Sequence, residues 1–198
     1  MKYTKKFVLY ISLLTLSYLF ISCSASVSLT SWKDPNYKGP AFSKILVMAV
    51  YKDLSFRKAY ETQVANSLKE AGIPAVTSMS VLSPDTKYTN KELDDIFQKN
   101  FIDGFLTLKY TGTTVTKILH PGYTYYQYYY SAYEVIRQPG YIEKHRSVNV
   151  ECSLFSTSNG KAVWIAQTKT SNYTSLNDLA SSLASEITDN LKADGVIK

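Results

Sequence analysis

The chain's two histidines, His120 and His145, are separated by 25 positions, with Glu134, Glu143 and Glu151 close by in sequence. A zinc or acid–base site would need such imidazole and carboxylate groups to converge. No helical or strand spacing of ligands links them here. Gly-rich phosphate loops and His-Glu-x-x-His, Cys-x-x-Cys and Gly-x-Ser-x-Gly signatures are all missing from the sequence. Asp94-Asp95 and Asp178 read as solvated or helix-capping charges, and Arg57 and Glu61 as an i,i+4 pair on a helix surface. Cys152 lies in an alternating apolar stretch and reads as a buried structural thiol. The expectation is a chain with no catalytic residue, no metal and no cofactor.

What the chain offers in abundance is tyrosine. Seven of the eleven residues from Tyr123 to Tyr133 are tyrosine (Tyr123, Tyr125, Tyr126, Tyr128, Tyr129, Tyr130 and Tyr133), and no charged residue lies between Lys117 and Glu134. Tyrosine combines a large amphipathic contact area with few rotatable bonds, as contact surfaces for proteins and sugars require. In a strand, these residues would fall on both faces, more than one core can absorb. Together with Trp32, they form the candidate contact set for an envelope protein or glycan. A projecting loop or long hairpin, over about residues 119–142, is the expected form.

The first residues set the address. Lys2, Lys5 and Lys6 precede an apolar run from Phe7 to Ile21, roughly 22 Å of helix against about 30 Å of hydrocarbon. Such a run suits a secretory leader. Its end, Phe20-Ile21-Ser22-Cys23, resembles the bacterial lipobox, with Phe20 where leucine is usual. The resemblance implies a signal peptide over 1–22, lipidation of Cys23 and attachment to the membrane through the N-terminal lipid. Ser24, rather than aspartate, follows the cysteine. By resemblance to the enterobacterial sorting rule this implies an outer-membrane anchor, with the domain facing the periplasm or the cell surface. Removing the leader leaves 19 basic against 16 acidic residues, a mature charge of +3, which gives no reason to expect nucleic acid as a partner.

These residues must be positioned by a domain over 41–198, preceded by a lipidated tether over 23–40. KILVMAV (44–50) reads as a buried parallel strand. Phe56, Tyr60, Val64 and Leu68 predict a helix from Ser55 to Ala71. A strand over 73–82, a short helix over 90–100 and a strand from Gly104 to Lys109, continuing to Lys117, follow. Asn159-Gly160 predicts a hairpin between 146–156 and 162–170. The stripe Leu176, Leu179, Ala180, Leu183, Ala184, Ile187, Leu191 predicts a closing helix, with Ser175 and Asp178 resembling a capping box. The fold class is α/β (α+β): a single mixed sheet with three packed helices, in the order β-α-β-α-β-β-β-α, carrying a Tyr-rich arm.

The run Thr30-Ser31-Trp32-Lys33-Asp34-Pro35, the Gly39-Pro40 turn before KILVMAV, and Arg57 with Glu61 on the first helix resemble a group of uncharacterised bacterial lipoproteins. The element order is similar to that of the DUF4136-like families and of the periplasmic part of curli-secretion-type lipoproteins. This resemblance spans most of residues 30–110, implies no settled activity, and does not extend to the tyrosine segment. The expected function is a non-enzymatic envelope lipoprotein acting in binding or assembly. A lipid-anchored cell-wall hydrolase or glycan-processing enzyme is the alternative.

Overall fold

A computed structural model describes residues 25–39, 41–129 and 132–198, by backbone alone over 125–129 and 132–136. Among the described residues, eight strands and four helices follow one another: β1 (Ser26–Lys33), β2 (Ile45–Val50), α1 (Leu54–Glu70), β3 (Ala75–Thr77), α2 (Ser78–Val81), α3 (Asn90–Lys99), β4 (Gly104–His120), β5 (Tyr123–Tyr129), β6 (Ala132–Gln138), β7 (Tyr141–Ser156), β8 (Ala162–Ser171) and α4 (Leu176–Ala193). Six strands form a mixed sheet in the order β1-β8-β7-β4-β2-β3, and β5 pairs with β6 in a separate ribbon. Strands β3, β2 and β4 are parallel, as their helical connections require, and the rest of the large sheet is antiparallel. This is the expected mixed α/β class.

The apolar patterning places the core. Ile45, Val47 and Ala49 of β2, Leu106 and Leu108 of β4, and Val148, Val150, Cys152 and Leu154 of β7 face one side, where α1 and α4 cover them. The two helices are also joined by the Ser67 hydroxyl, which donates to Thr188 Oγ1 at 2.8 Å. On the other side, Phe97 of α3 packs with Leu46 and Ile102 over the parallel end of the sheet. Among the described residues, no helix lies over the same side of β8 and β1, which presents Ser28, Thr30, Gln167 and Lys169 around a shallow hollow of about 430 Å³.

Two segments differ from expectation. Ser26–Lys33, expected as tether, is an edge strand paired along its whole length with β8. Val27 and Leu29 alternate onto the core, and α4 clips both ends of the strand. Asp178 Oδ1 accepts from the Ala25 amide at 3.3 Å, and Asp194 Oδ2 accepts from the Ser31 hydroxyl at 2.8 Å and from Trp164 Nε1 at 2.7 Å. The strand expected over 73–82 stops at Thr77, and Ser78–Val81 coils into one helical turn. The cause is Glu61, which captures that turn as described below.

Candidate functional site

Strand β4 is 17 residues long, and its two halves have different neighbours. From Gly104 to Lys109 it lies between β2 and β7. A bulge between Tyr110 and Gly112, with Gly112 at φ 138°, then bends the strand. Pairing of β8 with β7 ends at Ser147, opposite Thr114. From Val115↔Arg146 to His120↔Tyr141, β4 and β7 therefore continue as a ribbon with no third strand among the described residues. Six residues at about 3.3 Å each carry it roughly 20 Å past the sheet.

At the end of this neck the chain repeats itself. His120-Pro121-Gly122-Tyr123 leaves it and Gln138-Pro139-Gly140-Tyr141 returns. The two Pro-Gly pairs face each other between the β4–β7 ladder and the β5–β6 ladder. A Cβ on Gly122 would fall 2.6 Å from the Gly140 nitrogen, and one on Gly140 would fall 2.7 Å from the Gly122 nitrogen. Neither position has room for a side chain, and neither proline has an N–H to lend the ladder.

Beyond this joint, Tyr123, Tyr125, Tyr126, Tyr128 and Tyr129 lie on β5 and Tyr133 on β6, in a hairpin registered Tyr123↔Gln138 to Tyr129↔Ala132. The Tyr123 ring is exposed. Tyr130 and Cys23 lie outside the described residues, as do the side chains of the other segment tyrosines. Trp32 is exposed on β1, in the row Trp32–Ile165–Ser153–Thr107. That row is about 20 Å down the strand from the base of the neck, so Trp32 and the tyrosines are not one surface.

The hairpin topology brings together residues that sequence spacing kept apart. On one face of the neck the His120 Nε2–H group donates to Glu143 Oε2 at 2.9 Å and His145 Nε2–H to Glu143 Oε1 at 3.0 Å. The Tyr141 ring stacks on His120 with centroids 4.5 Å apart. All three polar side chains are roughly 40% exposed on an open ribbon. Glu143 occupies both imidazoles as an acceptor, and among the described residues no three His, Cys, Asp or Glu are arranged to hold a metal ion. Glu151 lies elsewhere, on the open sheet face.

The opposite face of the neck carries Val115, Lys117 and Leu119 on β4, paired with Arg146, Lys144 and Ile142 on β7. Leu119 is 70% and Ile142 57% exposed. Moving outward, two rows containing cations are followed by an apolar row.

Arg57 and Glu61 are not the surface pair that their spacing suggested. Glu61 is fully buried, and Arg57 is 16% exposed with its NH2 nitrogen 3.6 Å from Glu61 Oε1. Glu61 Oε1 accepts from the Ala49 amide at 3.0 Å and the Ser78 hydroxyl at 2.7 Å, and Oε2 accepts from the Met79 amide at 3.2 Å. The carboxylate thus ties α1 to the ends of β2 and β3 and winds Ser78–Val81 into a turn. Its partners are all structural. An i,i+4 spacing reads the same on a buried helix face as on an exposed one, which is why the sequence did not reveal this. Cys152 is fully buried, and burial pushes its thiol well above the usual range, so it is chemically inert.

No protein-family model and no curated protein matches this sequence. The resemblance to the DUF4136-like families therefore gains no support. Among solved structures, the chain is similar to the PelC dodecamer from Paraburkholderia phytofirmans, at 16% identity over 84% of this chain and 97% of that one, with a TM-score of 0.50. It also matches lipoprotein GNA1162 from Neisseria meningitidis at 16% identity, over 78% of this chain and 99% of that one, with a TM-score of 0.41. The PelC likeness bears on the fold alone.

Proposed function

We propose that this protein is a non-enzymatic lipoprotein of the bacterial envelope, held by acyl chains on Cys23 at the outer membrane, and that it acts as a binding or assembly module. The observation that carries the reading is the ribbon. A domain that has already closed its core extends two strands about 20 Å beyond it and caps them with a hairpin in which tyrosine dominates. Amphipathic rings on a narrow support are suited to contact with a protein or glycan. The alternative, a cell-wall hydrolase, would draw on His120, Glu143 and His145. Hydrolysis needs such groups to line a cleft that orients substrate, and these lie on an open ribbon.

The test is recovery of partners by envelope crosslinking from cells carrying the full chain. Replacing Tyr125, Tyr126, Tyr129 and Tyr130 with serine is expected to leave the melting temperature nearly unchanged and abolish the crosslinked product. Collapse of the fold would make the tyrosines core residues and end the contact reading. Palmitate incorporation and a mature N-terminus at Cys23 test the anchor, and an intact Met1 would refute it.

A further inference from the structure

We infer that the neck of the ribbon docks into the lipid bilayer to which Cys23 is anchored, with Leu119 and Ile142 in the acyl region and Lys117, Lys144 and Arg146 at the headgroups. This rests on the lipoprotein reading above and names the surface that the neck below the arm meets. Strand register carries the first part of the argument. Ser26 pairs with Ser171, Ser171 with Ser147 and Ser147 with Thr114. The start of β1 therefore lies in the row from which the neck departs, and β1 runs away from it. Ala25, held there by Asp178, is two residues from Cys23. Two residues reach at most about 7 Å, whereas the neck runs roughly 20 Å past the same row. An anchor that short brings the ribbon to the membrane before any other part of the sheet.

The side chains fit that surface. Going outward on one face, Val115 with Arg146 and Lys117 with Lys144 precede Leu119 with Ile142. Cations behind an apolar row match anionic headgroups above acyl chains, because long basic side chains reach back to the interface. The one acidic group on the opposite face, Glu143, is engaged by His120 and His145. Tyrosine is enriched where bilayers meet water, and Tyr141 and Tyr123 lie on either side of the joint.

The experiment uses the full acylated chain reconstituted in vesicles of phosphatidylethanolamine and phosphatidylglycerol. An environment-sensitive fluorophore is attached at Leu119→Cys, at Ile142→Cys or, at the far end of the sheet, at Lys161→Cys. Buried Cys152 does not compete for the label. Blue-shifted emission, quenched by nitroxide lipids at 119 and 142 but not at 161, is expected. Lys117→Glu with Lys144→Glu should weaken the quenching at 119 when phosphatidylglycerol is present. Equal, weak quenching at all three sites would overturn the docking. The tyrosine-dependent crosslink is read separately, so the contact-arm reading can survive that failure. Palmitate content, measured on the same sample, separates failed docking from failed anchoring.

Discussion

The two halves of β4 have the same backbone conformation and different dependents. Leu106 and Leu108, in the half next to β2, are sealed under α1 and α4, whereas Val115 and Leu119, in the other half, stand in the open. Both halves carry apolar residues, Leu106 and Leu108 in one and Val115, Ile118 and Leu119 in the other, and residue type alone does not say which are covered. Neighbours do. A strand with partners on both sides and a helix above it is part of a core, and the same strand with one partner is an appendage whose side chains are free for contact.

The sharpest way to break this comparison is one carboxylate placed in each region. Leu183→Asp buries a charge between α4 and the sheet, costs several kcal/mol and is expected to unfold the domain. Leu119→Asp should leave the melting temperature where it was. Equal shifts in a thermal melt would mean that the neck belongs to the core. Next in size is Glu61→Ala, which removes the ion pair of Arg57 and leaves the Ala49 and Met79 amides and the Ser78 hydroxyl without their acceptor. A loss of about 3–5 kcal/mol is expected, read from the denaturant midpoint, with Glu61→Gln costing less.

Gly122→Val tests the arm. Its side chain would meet Gly140 backbone, so amide exchange should quicken across 123–138 while Val148–Leu154 stay protected. Faster exchange throughout the sheet as well would show that arm and sheet open together.

The smallest effect is on pH. The Thr174 amide, with the Thr174 hydroxyl and the Ala25 amide, holds the Asp178 carboxyl below the usual range. A carboxyl lowered by folding stabilises the fold above its unfolded pKa, and that contribution is lost as pH falls through the folded value. Exchange at Ala25–Ser28, relative to the intrinsic rate at each pH, should therefore quicken below about pH 4, near the ordinary aspartate range. Asp178→Asn should show the quickened exchange already at neutral pH and respond little to acid.

The sequence disclosed what apolar periodicity can carry. KILVMAV became β2, the Tyr60–Val64–Leu68 stripe became the buried face of α1, and Leu179 to Leu191 became that of α4. Strand β1 was legible in part, since Val27 and Leu29 alternate, but its small polar residues favour no structure until β8 pairs with them. The capping role of Ser175 was also as read, its side chain accepting from the Asp178 amide. The Asp178 carboxylate turns instead to Thr174 and Ala25. The meeting of His120, Glu143 and His145 depends on the register of a hairpin more than twenty residues long, and no local pattern encodes it.

The facing Pro-Gly pairs have a consequence for folding fidelity. A hairpin written YTYYQYYYSAY can slide by one position and still oppose tyrosine to much the same partners, so its pairing is weakly determined. The same slide in β7 would turn Val148, Val150 and Cys152 out to water. At residues 121–122 and 139–140 the two backbones close to distances that only glycine tolerates, and proline withholds the rungs on which a shifted ladder would continue. A misalignment arising among the tyrosines ends there. The joint therefore acts as a stop for register errors, and the tip can vary in length or composition without retuning the sheet below.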